Sequence, residues 1–243
     1  MQVAIVSDIH GNRHAFEAVL EAVSSTDAQE LWCLGDVVGY GADPNDCCAL
    51  VRQHAALCLA GNHDLAVTGE LPLDDFSRGA ALAARWTQEV LDTHHRDWLA
   101  TLRPQDAEDG IGLFHASPRD PVWEYVLSAL LAELCFDATP QPLLLIGHSH
   151  VALSFVRAEG KPATGRARRE GDREELAAAR WLVNPGSVGQ PRDGDARAAW
   201  LLLDTAAGTI EWRRTEYDVT GAAAAIRAAR LPDSLAERLQ YGQ

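Results

Sequence analysis

Five short islands of metal-binding residue types occur along the chain in a fixed order, and they constrain its fold more than any other feature. They are Asp8-Ile9-His10, Gly35-Asp36, Gly61-Asn62-His63-Asp64, His115, and Gly147-His148-Ser149-His150. The stretches between them read as a strand followed by a helix, which predicts that the islands fall on neighbouring loops at one edge of a sheet. Residues 2–7 are a β-branched apolar run ending at Asp8. Gly11-Asn12 then supply a turn and a helix cap, and Phe16, Val19, Leu20 and Val23 recur at helical spacing. A second strand is predicted over 31–34. Pro44 opens a helix running to His54, and 57–60 form a third strand leading into Gly61.

Further along, 75–102 reads as a helical cover. Strands at 111–114 and 143–146, separated by a helix over 126–135, each deliver a histidine at their C-terminal end. Strands at 151–156, 181–183, 198–203 and 209–217 suggest a second, more antiparallel sheet. Residues 157–179, rich in Arg, Glu and Gly, read as an exposed loop or hairpin tip with a short helix at 174–180. Helices are expected over 219–230 and 234–240, divided at Pro232. A chain of 243 residues suits one domain across 1–243.

Charge narrows the function classes. With 21 Lys+Arg against 35 Asp+Glu the net charge is -14, which repels polyanions and argues against non-specific nucleic-acid binding. Small phosphoesters stay within reach, because bound divalent cations reverse the local field. The five cysteines are odd in number and show no CxxC zinc spacing, and Cys33, Cys58 and Cys135 sit in apolar runs, so they read as buried, reduced thiols. The first island begins too close to Met1 to follow a cleavable signal peptide, and the apolar runs are too short to span a bilayer. A cytoplasmic protein is the expectation.

In a strand, residues two apart share a face, so Asp8 and His10 can reach one ion, and His148 and His150 repeat the spacing. With Asp36 they make a nitrogen and oxygen donor set without thiolate, suited to Mn, Fe, Zn, Ni or Co. Two cations about 3.5 to 4 Å apart can hold the attacking and leaving oxygens of an in-line displacement, with Asp36 as the bridge and an activated water between them as nucleophile. The neutral amide of Asn62 binds a cation without cancelling its charge. His63 is then placed to protonate the leaving oxygen, a role worth roughly 10² to 10⁴ in rate. Singly, each island has a bland reading: a Gly-Asp turn, a core histidine at His115, a helix cap at Asn62-His63. Their joint order carries the dimetal reading.

The string DxH, GD, GNH[DE], H, GHxH over residues 8–150 resembles the calcineurin-like metallophosphoesterase superfamily. Asn184-Pro185-Gly186-Ser187-Val188-Gly189, followed by Pro191-Arg192, is similar to a turn in small bacterial members. The resemblance implies an α/β (α+β) fold, a four-layer αββα sandwich of two mixed β-sheets flanked by helices. It also implies one metal held by Asp8, His10 and His150, another by Asn62, His115 and His148, and Asp36 shared. One departure stands out: protein phosphatases of the superfamily carry GDxxDRG, whereas this chain has Gly35-Asp36-Val37-Val38-Gly39-Tyr40-Gly41. The Asp partner of the catalytic His and the neighbouring phosphate-gripping Arg are both missing, leaving Asp64 or a backbone carbonyl to orient His63. Arg192, and after it Arg119 and Arg13, are candidates to grip phosphate instead. The expected function is hydrolysis of small phosphodiesters or nucleotides with two divalent ions, Mn2+ first among them. A phosphoprotein phosphatase, a diadenosine polyphosphate hydrolase and a non-catalytic interaction module are the alternatives.

Overall fold

The computed structural model describes residues 1–176 and 179–243. It opens with β1 (Gln2–Val6), α1 (Arg13–Ser24), β2 (Glu30–Cys33), α2 (Pro44–His54) and β3 (Leu57–Cys58). Asn12 caps α1 by accepting from the Ala15 N–H at 3.1 Å, and Pro44 occupies the first turn of α2, where no N–H is needed. Helices α3 (Asn62–Thr68), α4 (Arg78–Val90) and α5 (Thr93–Leu99) follow. The predicted helical stretch 75–102 therefore breaks in two. Asn45 accounts for the break: its amide donates to the Val90 carbonyl at 2.9 Å and accepts from the Asp92 N–H at 2.8 Å, satisfying the backbone at the junction.

Next come β4 (Gln105–Glu108), β5 (Ile111–Phe114), α6 (Ala129–Ala138), β6 (Leu143–Leu145) and β7 (Leu153–Ala158). Helix α6 starts three residues later than predicted because Ser128 caps it, accepting from the Leu131 N–H. The chain continues through β8 (Thr164–Ala167), β9 (Arg173–Glu175), β10 (Ala179–Asn184), β11 (Ala198–Asp204) and β12 (Thr209–Thr215), and closes with α7 (Val219–Ala228) and α8 (Asp233–Glu237).

Two mixed six-stranded sheets result, ordered β3-β2-β1-β11-β12-β9 and β4-β5-β6-β10-β7-β8. β1, β2 and β3 run parallel, as do β5, β6 and β10, so each sheet sends a set of C-terminal strand ends in one direction. The later strands do not form a sheet of their own, as the sequence suggested. β11, β12 and β9 extend the first sheet, while β10, β7 and β8 extend the second.

Strand β1 shows why the sheets lie inside the molecule. Val3 and Ile5 face a core shared with Leu113, Leu145, Leu201 and Trp212, whereas Ala4 and Val6 face Phe16 and Val19 of α1 and Val51 of α2. A strand covered on both faces reads as a continuous apolar run. On the far side of the second sheet, Leu144 and Leu182 pack against Ala132 and Phe136 of α6. The layers are helix, sheet, sheet, helix. Each fully buried side chain of this kind contributes roughly 1.5 to 3 kcal/mol relative to exposure.

The segment 157–179, expected as an exposed loop or hairpin tip, holds β8 and β9, and β8 returns antiparallel to β7. Arg168, only 5% exposed, fastens it by donating to Ser154 and Glu174 and by lying 4.5 Å over the Trp212 ring. The helix expected at 174–180 is not found among the described residues: Arg173–Glu175 is β9 and Ala179 opens β10, while 177 and 178 lie outside the described residues. All five cysteines are free, and Cys33, Cys47, Cys48 and Cys135 are buried. No helix among the described residues is long and apolar enough to cross a membrane.

Candidate metal centre

Asp8 follows β1, Asp36 follows β2 and Asn62 opens α3 just beyond β3, while His115 follows β5 and His148 and His150 follow β6. The islands therefore meet where the C-terminal edges of two sheets face each other, rather than along one edge. The strand alternation invoked for Asp8 and His10 does not hold. Both residues lie beyond β1 in left-handed conformation (φ 55° and 51°), as do Asp36 (55°), His148 (63°) and His150 (59°). Such backbone costs about 1 kcal/mol or more per residue and persists only where the surroundings hold it. Here the holding bonds cross between loops: Asp8 N–H to Gly35 O at 3.0 Å, His10 N–H to Asp36 O at 2.9 Å, Gly189 N–H to Asp8 O at 2.9 Å, and Gly147 N–H to His115 O at 2.8 Å. Gly61 has to be glycine, since a Cβ there would lie 1.9 Å from Asp36 Oδ1.

Two donor sets emerge. Asp8, His10, Asp36 and His150 form one, and Asp36, His115 and His148 the other; within each, the donor atoms lie within 4.8 Å of one another. Asn62 joins the second set, its Oδ1 being 3.3 Å from His115 Nε2. Asp36 Oδ2 stands 3.5 Å from His10 Nε2 and 3.5 Å from His115 Nε2, so one carboxylate oxygen is common to both sets.

The protons on the rings show what the sets fit. His10 Nδ1 lies 3.1 Å from the Val38 carbonyl, His115 Nδ1 lies 2.9 Å from Leu34 O, and His150 Nδ1 lies 2.7 Å from Gln190 O. A carbonyl only accepts, so each Nδ1 carries the proton and each Nε2 presents a lone pair. His148 is reversed: its Nε2 donates to Trp123 O at 3.2 Å, leaving Nδ1 as the donor atom. The lone pairs of His10 and His150 then point at each other across 3.1 Å, and Asp8 Oδ1 and Asp36 Oδ2 are buried without any hydrogen-bond partner. Acceptors crowded together with no proton between them fit divalent cations, and carbonyl anchors of this kind orient metal-binding histidines.

Electrostatics agree. Burial lifts Asp8 from 3.8 to about 7 and raises Asp36 well above its ordinary value, with the neighbouring Asp64 adding to the latter. Burial likewise holds His10, His148 and His150 well below 6.5. A cavity that penalises both carboxylates and imidazolium favours a compact positive charge of its own.

His63 lies beside the first set, its ring 4.8 Å from His10, 4.4 Å from Tyr40 and 5.0 Å from Phe76. Its main-chain N–H donates to Asp36 Oδ1 at 2.8 Å, and its ring Nδ1 is buried without a partner. Burial, with help from Arg192 and His115, pushes its pKa from 6.5 to about 3. Asp64 does not orient it, because both Asp64 oxygens accept main-chain N–H groups from Val37, Val38 and Gly61. Nor could an Asp at position 39 replace it: Gly39 has φ +90°, and a Cβ would lie 2.4 Å from His63 Nδ1. The ring is held by packing.

Of the three arginines, only Arg192 is near the centre. Its guanidinium lies 5.7 Å from the Tyr40 ring centre and donates to Tyr40 Oη at 3.3 Å, while its N–H binds the His150 carbonyl at 3.0 Å. Arg119 pairs with Glu124 at 3.0 Å, and Arg13 lies on exposed α1 between Glu17 and Asp46, each 3.6 Å away. Sequence reasoning missed Tyr40, Gln190 and the Trp123 carbonyl as parts of the site. Tyr40 alone left a signal, standing where GDxxDRG has its Arg.

The model of the calcineurin-like phosphoesterase superfamily domain matches residues 1–208, and the chain belongs to that family of metal-dependent hydrolases. An uncharacterized protein of Methanocaldococcus jannaschii is 37% identical over 99% of this chain and 98% of its own length. The crystal structure of a metallophosphoesterase from Sphaerobacter thermophilus superposes with TM-score 0.90 at 37% identity, covering 100% of this chain and 99% of that one. A symmetrical bis(5'-nucleosyl)-tetraphosphatase of Ectopseudomonas mendocina is 31% identical over 60% of this chain and 57% of its own.

Proposed function

We propose that the protein hydrolyses small phosphodiesters or nucleotides with two divalent cations, Mn2+ foremost, held by Asp8, His10 and His150 on one side and Asn62, His115 and His148 on the other, with Asp36 shared. The observation that carries this reading is the buried Asp36 Oδ2, without a hydrogen-bond partner and equidistant at 3.5 Å from an imidazole nitrogen of each set. Bound cations would supply an activated water and neutralise the phosphoryl oxygens. The remaining work falls to the chain itself. Arg192 offers guanidinium N–H groups to phosphoryl oxygens. His63 delivers a proton to the leaving oxygen, once the negative charge of the arriving ester restores its imidazolium against the burial that otherwise keeps it neutral.

Two features favour a nucleotide over a phosphoprotein. Tyr40 replaces the arginine of the protein-phosphatase motif, and Tyr125, 45% exposed, stacks on His148 at 4.2 Å and offers an aromatic surface beside the centre. The nucleotide-cleaving name of the Ectopseudomonas relative points the same way. Five free cysteines suit a reducing cytoplasm.

Mn2+-loaded protein should hydrolyse bis-p-nitrophenyl phosphate. Asp36→Asn should lower kcat by at least on the order of 10³-fold, the scale on which loss of a central catalytic group acts. Equal rates in the two proteins would end this reading.

A further inference from the structure

Two guanidinium groups converge on a single neutral atom next to the metal centre. Arg192 Nη2 donates to Gln190 Oε1 at 3.0 Å, and Arg238 Nη1, from the last turn of the chain after α8, donates to the same oxygen at 3.2 Å. Like charges brought to one acceptor repel. Although the chain carries a net charge of -14, neither arginine is paired with a carboxylate among the described residues, and Arg192 Nε is buried with no acceptor at all. Gln190, 2% exposed, is fixed in place: its main-chain carbonyl accepts from Nδ1 of the metal-set residue His150 at 2.7 Å. Tyr40 closes the gap on the other side, with its ring 4.7 Å from that of His10 and beneath the Arg192 guanidinium.

A purely structural staple between the C-terminal turn and this loop would be served by one arginine, or by a carboxylate in place of Gln190. Two uncompensated cations held by a buried amide, with an N–H to spare, call for an anion brought by a ligand. We propose that Arg238 grips a second phosphate group, one phosphoanhydride link away from the phosphoryl group that Arg192 meets at the metal centre. The site would then select nucleoside polyphosphates over simple monophosphate esters, an assignment that rests on the hydrolase function proposed above. Arginine forks match the paired oxygens of a phosphate, and Gln190 sets their separation.

Calorimetric titration of Mn2+-loaded protein, with Mn2+ in excess, tests the clasp with two inert probes: orthophosphate and methylenediphosphonate, a pyrophosphate analogue that is not hydrolysed. The wild type should bind the diphosphonate about tenfold or more tighter than orthophosphate. Arg238→Ala should bring the two within about twofold, and Arg238→Lys should retain part of the preference. Absence of a preference in the wild type, or equal weakening of both probes by Arg238→Ala, overturns the proposal. Hydrolysis of bis-p-nitrophenyl phosphate by the same preparations is read separately. Its absence, with the probe preference intact, removes the hydrolase reading and leaves the clasp. Its presence, with no preference, removes the clasp and leaves the hydrolase.

Discussion

The two donor sets that meet at Asp36 are built differently. The first joins two carboxylates to His10 and His150, both turned by main-chain carbonyls so that Nε2 faces inward. The second has only the shared carboxylate, a neutral amide from Asn62, and two histidines facing it through opposite nitrogens, His115 by Nε2 and His148 by Nδ1. On the proposed reading, the greater negative charge of the first set would bind a cation more tightly, and the second set, less neutralised, would leave its cation more charge to attract a phosphate. One set would then retain a cation and the other present one.

The sharpest way to break this contrast is to remove donors one side at a time. Asp36→Asn should empty both sets. Asn62→Ala should leave about one ion per chain after desalting, and Asp8→Asn should weaken the first set more than Asn62→Ala weakens the second, by about tenfold or more in affinity. Elemental analysis of the desalted proteins and Mn2+ titration read these outcomes. If Asn62→Ala empties both sets while Asp8→Asn keeps both, the ranking is wrong.

His63 sits on the first-set side, through its contacts with His10 and Tyr40, so its loss should reach the leaving group without emptying either set. His63→Ala should slow esters with poor leaving groups by about 10²-fold while barely touching nitrophenyl esters, which need little protonation. Gly39→Ala should produce the same pattern more weakly, since its Cβ would displace the His63 ring. A uniform loss across leaving groups would argue that His63 only packs.

Proton competition separates the sets again. Burial holds the Asp8 carboxyl at about 7, so below that pH a cation must displace its proton. The affinity of the first set should therefore fall about tenfold per unit as the pH drops below about 7, and level off above it as far as Asp8 is concerned. His10 and His150, held well below 6.5, bring no proton to displace at pH 6. Asp36, raised as well, acts on both sets alike. Mn2+ titrations at pH 6, 7 and 8 should show the steeper dependence at the tighter site; a steeper slope at the weaker one would reverse the assignment.

Much of this centre was legible because chain order and residue type carry it: apolar runs ending in Asp8, Asp36, His115 and His148 mark strand ends, and Pro44 marks the start of α2. Dihedral angles were not legible. Nothing in Asp8-Ile9-His10 announces two left-handed residues, which arise only when cross-loop bonds to Gly35 and Asp36 hold them. The polar edge strand β4, Gln-Asp-Ala-Glu and wholly exposed, carries no apolar alternation, and it forms because β5 offers it a hydrogen-bonding edge. In segment 157–179, read as a loop or hairpin tip, the anchoring was hidden for a related reason: the residue that anchors it, Arg168, is charged, and its burial depends on Ser154, Glu174 and Trp212, at least six residues distant in sequence.

The arginines supply the smallest expected effect and a control on the asymmetry around the centre. The Arg192 guanidinium donates to the Tyr40 hydroxyl and its main-chain N–H to the His150 carbonyl, whereas Arg13, 39% exposed, shares weak ion pairs with Glu17 and Asp46 on the surface of α1. Exposed pairs of this kind are worth about 0 to 1 kcal/mol. Arg13→Ala should change stability by no more than roughly 0.5 kcal/mol in a urea melt and leave kcat/KM for bis-p-nitrophenyl phosphate within about twofold. Arg192→Ala should lower kcat/KM by about tenfold or more, having lost a charge-assisted hydrogen bond to substrate. Were the two to behave alike, phosphate recognition would belong to the metal sets alone, and the position of Arg192 beside Tyr40 would serve only to pack the loop that anchors His150.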